Sequence, residues 1–211
     1  PSKMAKYIDM THNKGNALTQ RGREKGSRRL MSINLLKRLE SSVYSFRLTL
    51  ERIKALINGT IKTIHAYRGG DQAIDLTDVT SATDFDDDDQ NTDFFSVGKK
   101  VRISLADMDY KSWLHELECD AENLELLTDL VGDITPDHDT KLQTLLSLIR
   151  DKQAHPINKG NRKLIIFTAF SDTADYLYQN IAPFMQREFG LNTAEITGTV
   201  DGKTTIPKLR G

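Results

Sequence analysis

The sequence has little that could brace a fold covalently. It holds one cysteine, Cys119, so no disulfide can close within the chain, and a lone thiol fits a reducing compartment. Apolar residues make up 38% of 211 and charged residues 28%. That balance is low for a compact chain, so part of it is expected to be extended or disordered. No apolar run approaches the ~20 residues that a membrane span needs. The N-terminus lacks the apolar core of a signal peptide. A cytoplasmic protein with no membrane partner is expected. The first residue is Pro1 rather than Met, which reads as an excised piece of a longer protein.

Basic residues are missing where acidic ones crowd. Residues 71–95 carry nine Asp and no Lys or Arg. Residues 1–40 carry ten Lys/Arg against three Asp/Glu, and residues 41–70 five against one. The net charge of −1 therefore hides a basic module followed by an acidic spacer. A basic module of this density can meet phosphate, or it can be a solvated helix face.

The pattern predicts a mixed fold. A mainly α-helical N-terminal region precedes an incomplete α/β portion with a parallel sheet at the C-terminus. Residues 1–70 form the basic long-helix module. One helix starts at Ser27 or Ser32, and its apolar residues Leu36, Leu39, Val43, Phe46, Leu50, Ile53, Ile57, Ile61 and Ile64 make a heptad-like seam. Gly69-Gly70 ends it. Residues 71–98 are the acidic linker, where the run Asp86 to Asp89 repels itself. Residues 99–136 are a helical segment opened by Ser104 and Asp107, with Trp113 in its core. Residues 137–211 begin with a helix capped by Asp137 or Asp139. A buried strand at 163–168 follows, then a helix from about Asp172 to Glu188 kinked at Pro183. A short second strand covers 192–197. An apolar run, Leu164 to Phe167, that stops at the polar corner Ser171-Asp172-Thr173 is the βα unit of a parallel sheet. Such sheets hold ligands just past the strand end. Thr168 and Ser171 sit there.

Complete active sites are absent. The triplet Gly202-Lys203-Thr204 lacks the glycine a phosphate-cradling loop needs five residues earlier, where Thr197 stands. It reads as a glycine turn after a strand. The acidic spacer lacks the Gly and Glu positions of a calcium loop. His115-Glu116 has no second His one turn on, and Asp137-His138-Asp139 reads as a helix cap rather than a metal site. His12, His65 and His155 are isolated. Cys119 has no evident base, and Glu116, Glu118, Glu122 and Glu125 read as a solvated face. No catalytic, cofactor-binding or metal-ligating residue is assigned.

Three segments resemble the bacterial Swi/Snf-like branch of the superfamily-two helicases and DNA translocases. Within Arg28 to Leu50, LLKRLESSVYSFRLTL is similar to the helical segment between the two RecA-like lobes. Asp139-Thr140-Lys141-Leu142 through Ile149 resembles the D-x-K-L helix leading into the second lobe. KLIIFTAFSDTADYL resembles helicase motif four, and Ile196 to Gly211 the segment after it. The likeness covers about half the chain. The acidic spacer and residues 99–131 fall outside it.

The resemblance implies an ATP-dependent DNA translocase. Its second lobe closes on the first across ATP and Mg2+, and strand-end loops hold the DNA backbone. Thr168, Ala169, Phe170 and Ser171 would lie near tracking-strand phosphates, with Gly198 and Lys203 in the following segment. Lys37 and Arg38 would lie near the lobe junction and the DNA. The expected partners are DNA, through sequence-independent backbone contacts, and the first RecA-like lobe. The chain has no Walker A loop, no DExH box and no arginine-bearing final motif. It holds no cofactor site of its own and is expected not to hydrolyse ATP alone. An incomplete sheet leaves an open edge, which invites a dimer as a consequence of truncation. Two other readings fit the residues: a non-enzymatic nucleic-acid-binding module on the basic helix, and a helical scaffold that dimerises through the seam.

Overall fold

The structure, a computed structural model, describes residues 20–67, 105–107, 109–198 and 202–207. The acidic linker, His12 and the Ser104 cap lie outside these residues. The described residues are mostly helical and fall into two compact units. One holds 20–36, 48–67, 105–107 and 109–129. The other holds 37–47, 130–198 and 202–207.

The long basic helix is two helices, α1 (Gln20–Ser41) and α2 (Val43–Ala66). Ser42 makes the break. Its N–H closes α1 on the Arg38 carbonyl at 2.9 Å, and its Oγ accepts the Ser45 N–H at 3.0 Å as the N-cap of α2. The buried stripe also differs from the apolar seam. Leu36 and Leu39 are exposed, while Asn34, Arg38, Ser42, Ser45 and Thr49 are buried. They recur along the sequence at steps of four, four, three and four. The stripe continues into apolar Ile53 and Ile64.

In the first unit, α2 packs against α3 (Tyr110–Gly132). Ile64 and Leu105 are the buried centre, with Tyr67, Tyr110, Trp113, Leu114 and Leu117 around them. Leu105 lies on a short 3-10 turn, Leu105–Asp107. Asp109 caps α3 by accepting the Ser112 N–H at 3.2 Å. Lys54 pairs with Glu125 at 2.6 Å and His65 faces Glu118 at 3.6 Å. Partners that descend in one helix as they ascend in the other make the two antiparallel.

In the second unit, α4 (Thr140–Ala154) packs on α5 (Ser171–Phe189). Asp139 is the α4 cap: its Oδ1 accepts the Leu142 N–H at 3.1 Å. Ile149, Ile181, Phe184 and Met185 form the buried cluster, flanked by Leu145, Leu146, Leu177, Phe189 and Leu191. Arg150 binds both Glu188 oxygens at 2.9 and 2.8 Å and lies over the Phe184 ring at 4.8 Å. Helix α5 runs through Pro183 as one element. It ends at Gly190 in the left-handed region (φ 63°), with the Leu191 N–H bonded back to the Met185 carbonyl.

The expected parallel sheet is absent among the described residues. The observed sheet has two strands, β1 (Ala194–Glu195) and β2 (Lys203–Thr204), paired antiparallel with Ala194 opposite Thr204 and Glu195 opposite Lys203. Residues 163–168 form no strand. Ile165 and Phe167 are 75% and 90% exposed, Leu164 and Ile166 37% and 38%. The alternation is that of an extended chain, but a strand needs a hydrogen-bonding neighbour. No described strand pairs with this segment.

Candidate nucleic-acid interface

The sequence-predicted residues Thr168 to Ser171 form the turn that enters α5. Thr168 and Ala169 are exposed, Phe170 is half-buried and Ser171 is buried. Phe170 is the N-cap residue, with extended backbone and no side-chain bond to the helix. A phenyl ring has no oxygen with which to cap a helix. Its carbonyl instead takes the Thr173 and Ala174 N–H groups, each at 3.1 Å. The Ser171 Oγ is buried and has no hydrogen-bond partner among the described residues.

This turn is held by residues 37–47 of the same unit. Arg38 Nη1 donates to Asp172 Oδ2 at 2.8 Å and to Ser45 Oγ at 3.1 Å. The Arg38 side chain is 3% exposed and that of Asp172 10%. The guanidinium also lies over the Phe170 ring at 4.7 Å. Removing one member of such a buried pair leaves an uncompensated charge, at a cost of about 3–5 kcal/mol. Hydroxyls close the rest of the junction. Ser41 Oγ and Thr173 Oγ1 are 2.8 Å apart, Ser42 Oγ and Thr173 Oγ1 3.3 Å, and Ser41 Oγ and Thr168 Oγ1 3.4 Å.

A second tie runs one turn further along. Tyr44 stacks on Tyr176 with ring centroids 4.9 Å apart. The Tyr176 hydroxyl donates to Asp139 Oδ2 at 3.0 Å. Asp139 thus uses one oxygen to cap α4 and the other to anchor α5. Burial, and then the Asp139 carboxylate, hold the Tyr176 phenol well above its usual range. Lys141 donates to the Glu40 and Ser41 carbonyls, which are last-turn carbonyls of α1.

The other predicted residues lie apart from the turn. Gly198 is exposed after β1. Lys203 opens β2, pairs with Asp175, and stands 3.4 Å from Glu195. Glu195 is buried, and burial raises its carboxyl pKa, with the Asp175 carboxylate adding to the rise and Lys203 opposing it. Lys37 is exposed. Arg38, its neighbour, gives its guanidinium to a protein carboxylate and an aromatic face. Sequence reasoning missed the roles of Asp172, Thr173, Tyr176, Ser41 and Ser42. The signal was the periodic polar stripe from Asn34 to Thr49, which a search for apolar periodicity passes over. Among the described residues, no group of three or more His, Cys, Asp or Glu side chains is placed to hold a metal, and no helix is long and apolar enough to cross a membrane.

No family model, curated protein or solved structure matches the chain.

Proposed function

We propose that the chain is a segment of an ATP-dependent DNA helicase or translocase. It contributes the helical inter-lobe region and the opening of the second RecA-like lobe, and it holds DNA by its backbone. The observation that carries the reading is the turn 168–171. It is solvent-facing at Thr168 and Ala169, enters α5 without a side-chain cap, and is clamped from behind by residues 37–47. A helix N-terminus draws anions, and its amides suit phosphate rather than base edges. Lys37, exposed beside the clamp, adds a charge for the same ligand. The chemistry of ATP and Mg2+ would come from the rest of the parent protein, since the phosphate cradle, the metal-holding acid and the arginine finger are all missing here. Completion of the sheet that 163–168 would begin belongs to the same proposal.

The test is duplex binding by the purified chain. Fluorescence anisotropy should show two short blunt duplexes of unrelated sequence binding equally. Affinity should fall linearly with the logarithm of salt. ATP turnover should stay at background with and without DNA. A clear sequence preference, or no binding at low salt, would overturn the reading.

A further inference from the structure

We infer that Arg38 is a positioning residue that sets the turn 168–171 through Asp172 and Phe170, and that it is not itself a phosphate ligand. The inference rests on the proposed role of that turn in DNA binding.

Three observations carry it. Arg38 is buried, and Nη1 serves two acceptors on different elements, Asp172 on α5 and Ser45 on α2. Its flat face covers Phe170, the residue whose carbonyl starts α5. Alongside it, the hydroxyls of Ser41 at the end of α1 and Ser42 at the break meet that of Thr173 on α5. A guanidinium suits this task because it can donate in its plane and stack on its face at once, which an ammonium cannot do. Asp172 needs the arrangement too. It stands in the first turn of α5, where a carboxylate favours the helix but would repel an incoming phosphate. Pairing with Arg38 removes that repulsion while leaving the turn's backbone in place. Lys37, next to Arg38 on α1, is exposed.

The pair and the phosphate ligand make opposite predictions. Arg38→Gln, Asp172→Asn and the double variant, which restores neutrality, should be compared in the 211-residue chain by amide exchange and by duplex binding. Either single variant should speed exchange of the Thr173 and Ala174 amides, which bond the Phe170 carbonyl, at least about tenfold, with the α4 amides 143–150 unchanged. Each should weaken binding about tenfold or more. The double variant should recover most of both losses and keep the wild-type salt slope, whereas a lost phosphate contact would lower that slope by about one. Lys37→Gln is the comparison that should lower it. Unchanged exchange at Thr173 and Ala174 in Arg38→Gln, or a slope reduced by about one in the double variant, would overturn the inference. Exchange that spreads through α4 would do the same, since it would make Arg38 a general stabiliser. If the wild-type chain binds no DNA, the DNA-binding reading of the turn fails, and the exchange pattern still decides whether Arg38 sets it.

Discussion

Glu195 sits where a carboxyl is poorly served. It is buried on β1, neither oxygen has a hydrogen-bond partner among the described residues, and Lys203 Nζ stands 3.4 Å away while also pairing with Asp175. One ammonium therefore answers two carboxyls. The carboxyl resists ionising because it is buried and because Asp175 is near, and its pKa rises above the ordinary 4.5. The sign of the pH effect follows. Between the unfolded and the folded pKa, the unfolded chain has released the proton and the folded one keeps it. Stability therefore falls as pH rises through that interval, and stays lower above it. Glu195→Gln removes the titration and leaves Lys203 to Asp175. At pH 7 it should stabilise the chain by about 1 kcal/mol, as neutral replacements of crowded buried charges do. Its stability should be flatter than wild type from pH 4 to 7 by urea denaturation. Identical pH profiles for the two proteins would contradict this account.

At the scale of elements, the joint between α4 and α5 turns on Asp139 and Tyr176. The phenol donates to a carboxylate that is already capping a helix, so one bond couples two elements. Tyr176→Phe keeps the Tyr44 stack and removes the donor. It should cost about 2 kcal/mol at pH 7, the range for a hydrogen bond to a charged group. The gap should narrow above pH 10. There the unfolded tyrosine ionises near its ordinary 10.0 while the folded one holds its proton, so wild-type stability falls with rising pH and the Phe variant escapes that loss. Thermal melts at neutral and alkaline pH would show it. Much of this joint was legible in the sequence. A cap at Asp137 or Asp139, the α4 pattern of Leu142 and Ile149, and the apolar face of α5 follow from local rules that act within one turn. The long basic helix was misread because Ser42 looks like an ordinary helix residue until its hydroxyl meets the Ser45 N–H. The burial of Arg38 was not legible for a related reason: its partner lies 134 residues away in the chain.

At the scale of the whole molecule, the unexpected segment is 163–168. Its composition is that of a buried strand, yet Phe167 and Ile165 face solvent. Propensity describes what a segment can do when a neighbour is present, and a strand's hydrogen bonds and faces are all non-local. Two contrasting outcomes therefore follow for one substitution. In the 211-residue chain, Phe167→Ser should change unfolding free energy by no more than about 0.5 kcal/mol, because the ring covers nothing. In a longer protein whose further strands complete the proposed sheet, the same change should cost about 3–5 kcal/mol, the cost of emptying a buried aromatic site. Parallel denaturation curves of the two proteins, each with and without the substitution, separate the cases. A large loss in the 211-residue chain would mean that 163–168 is already packed in solution. A negligible loss in both would remove the sheet from the proposal and leave a helical module as the better account of the chain.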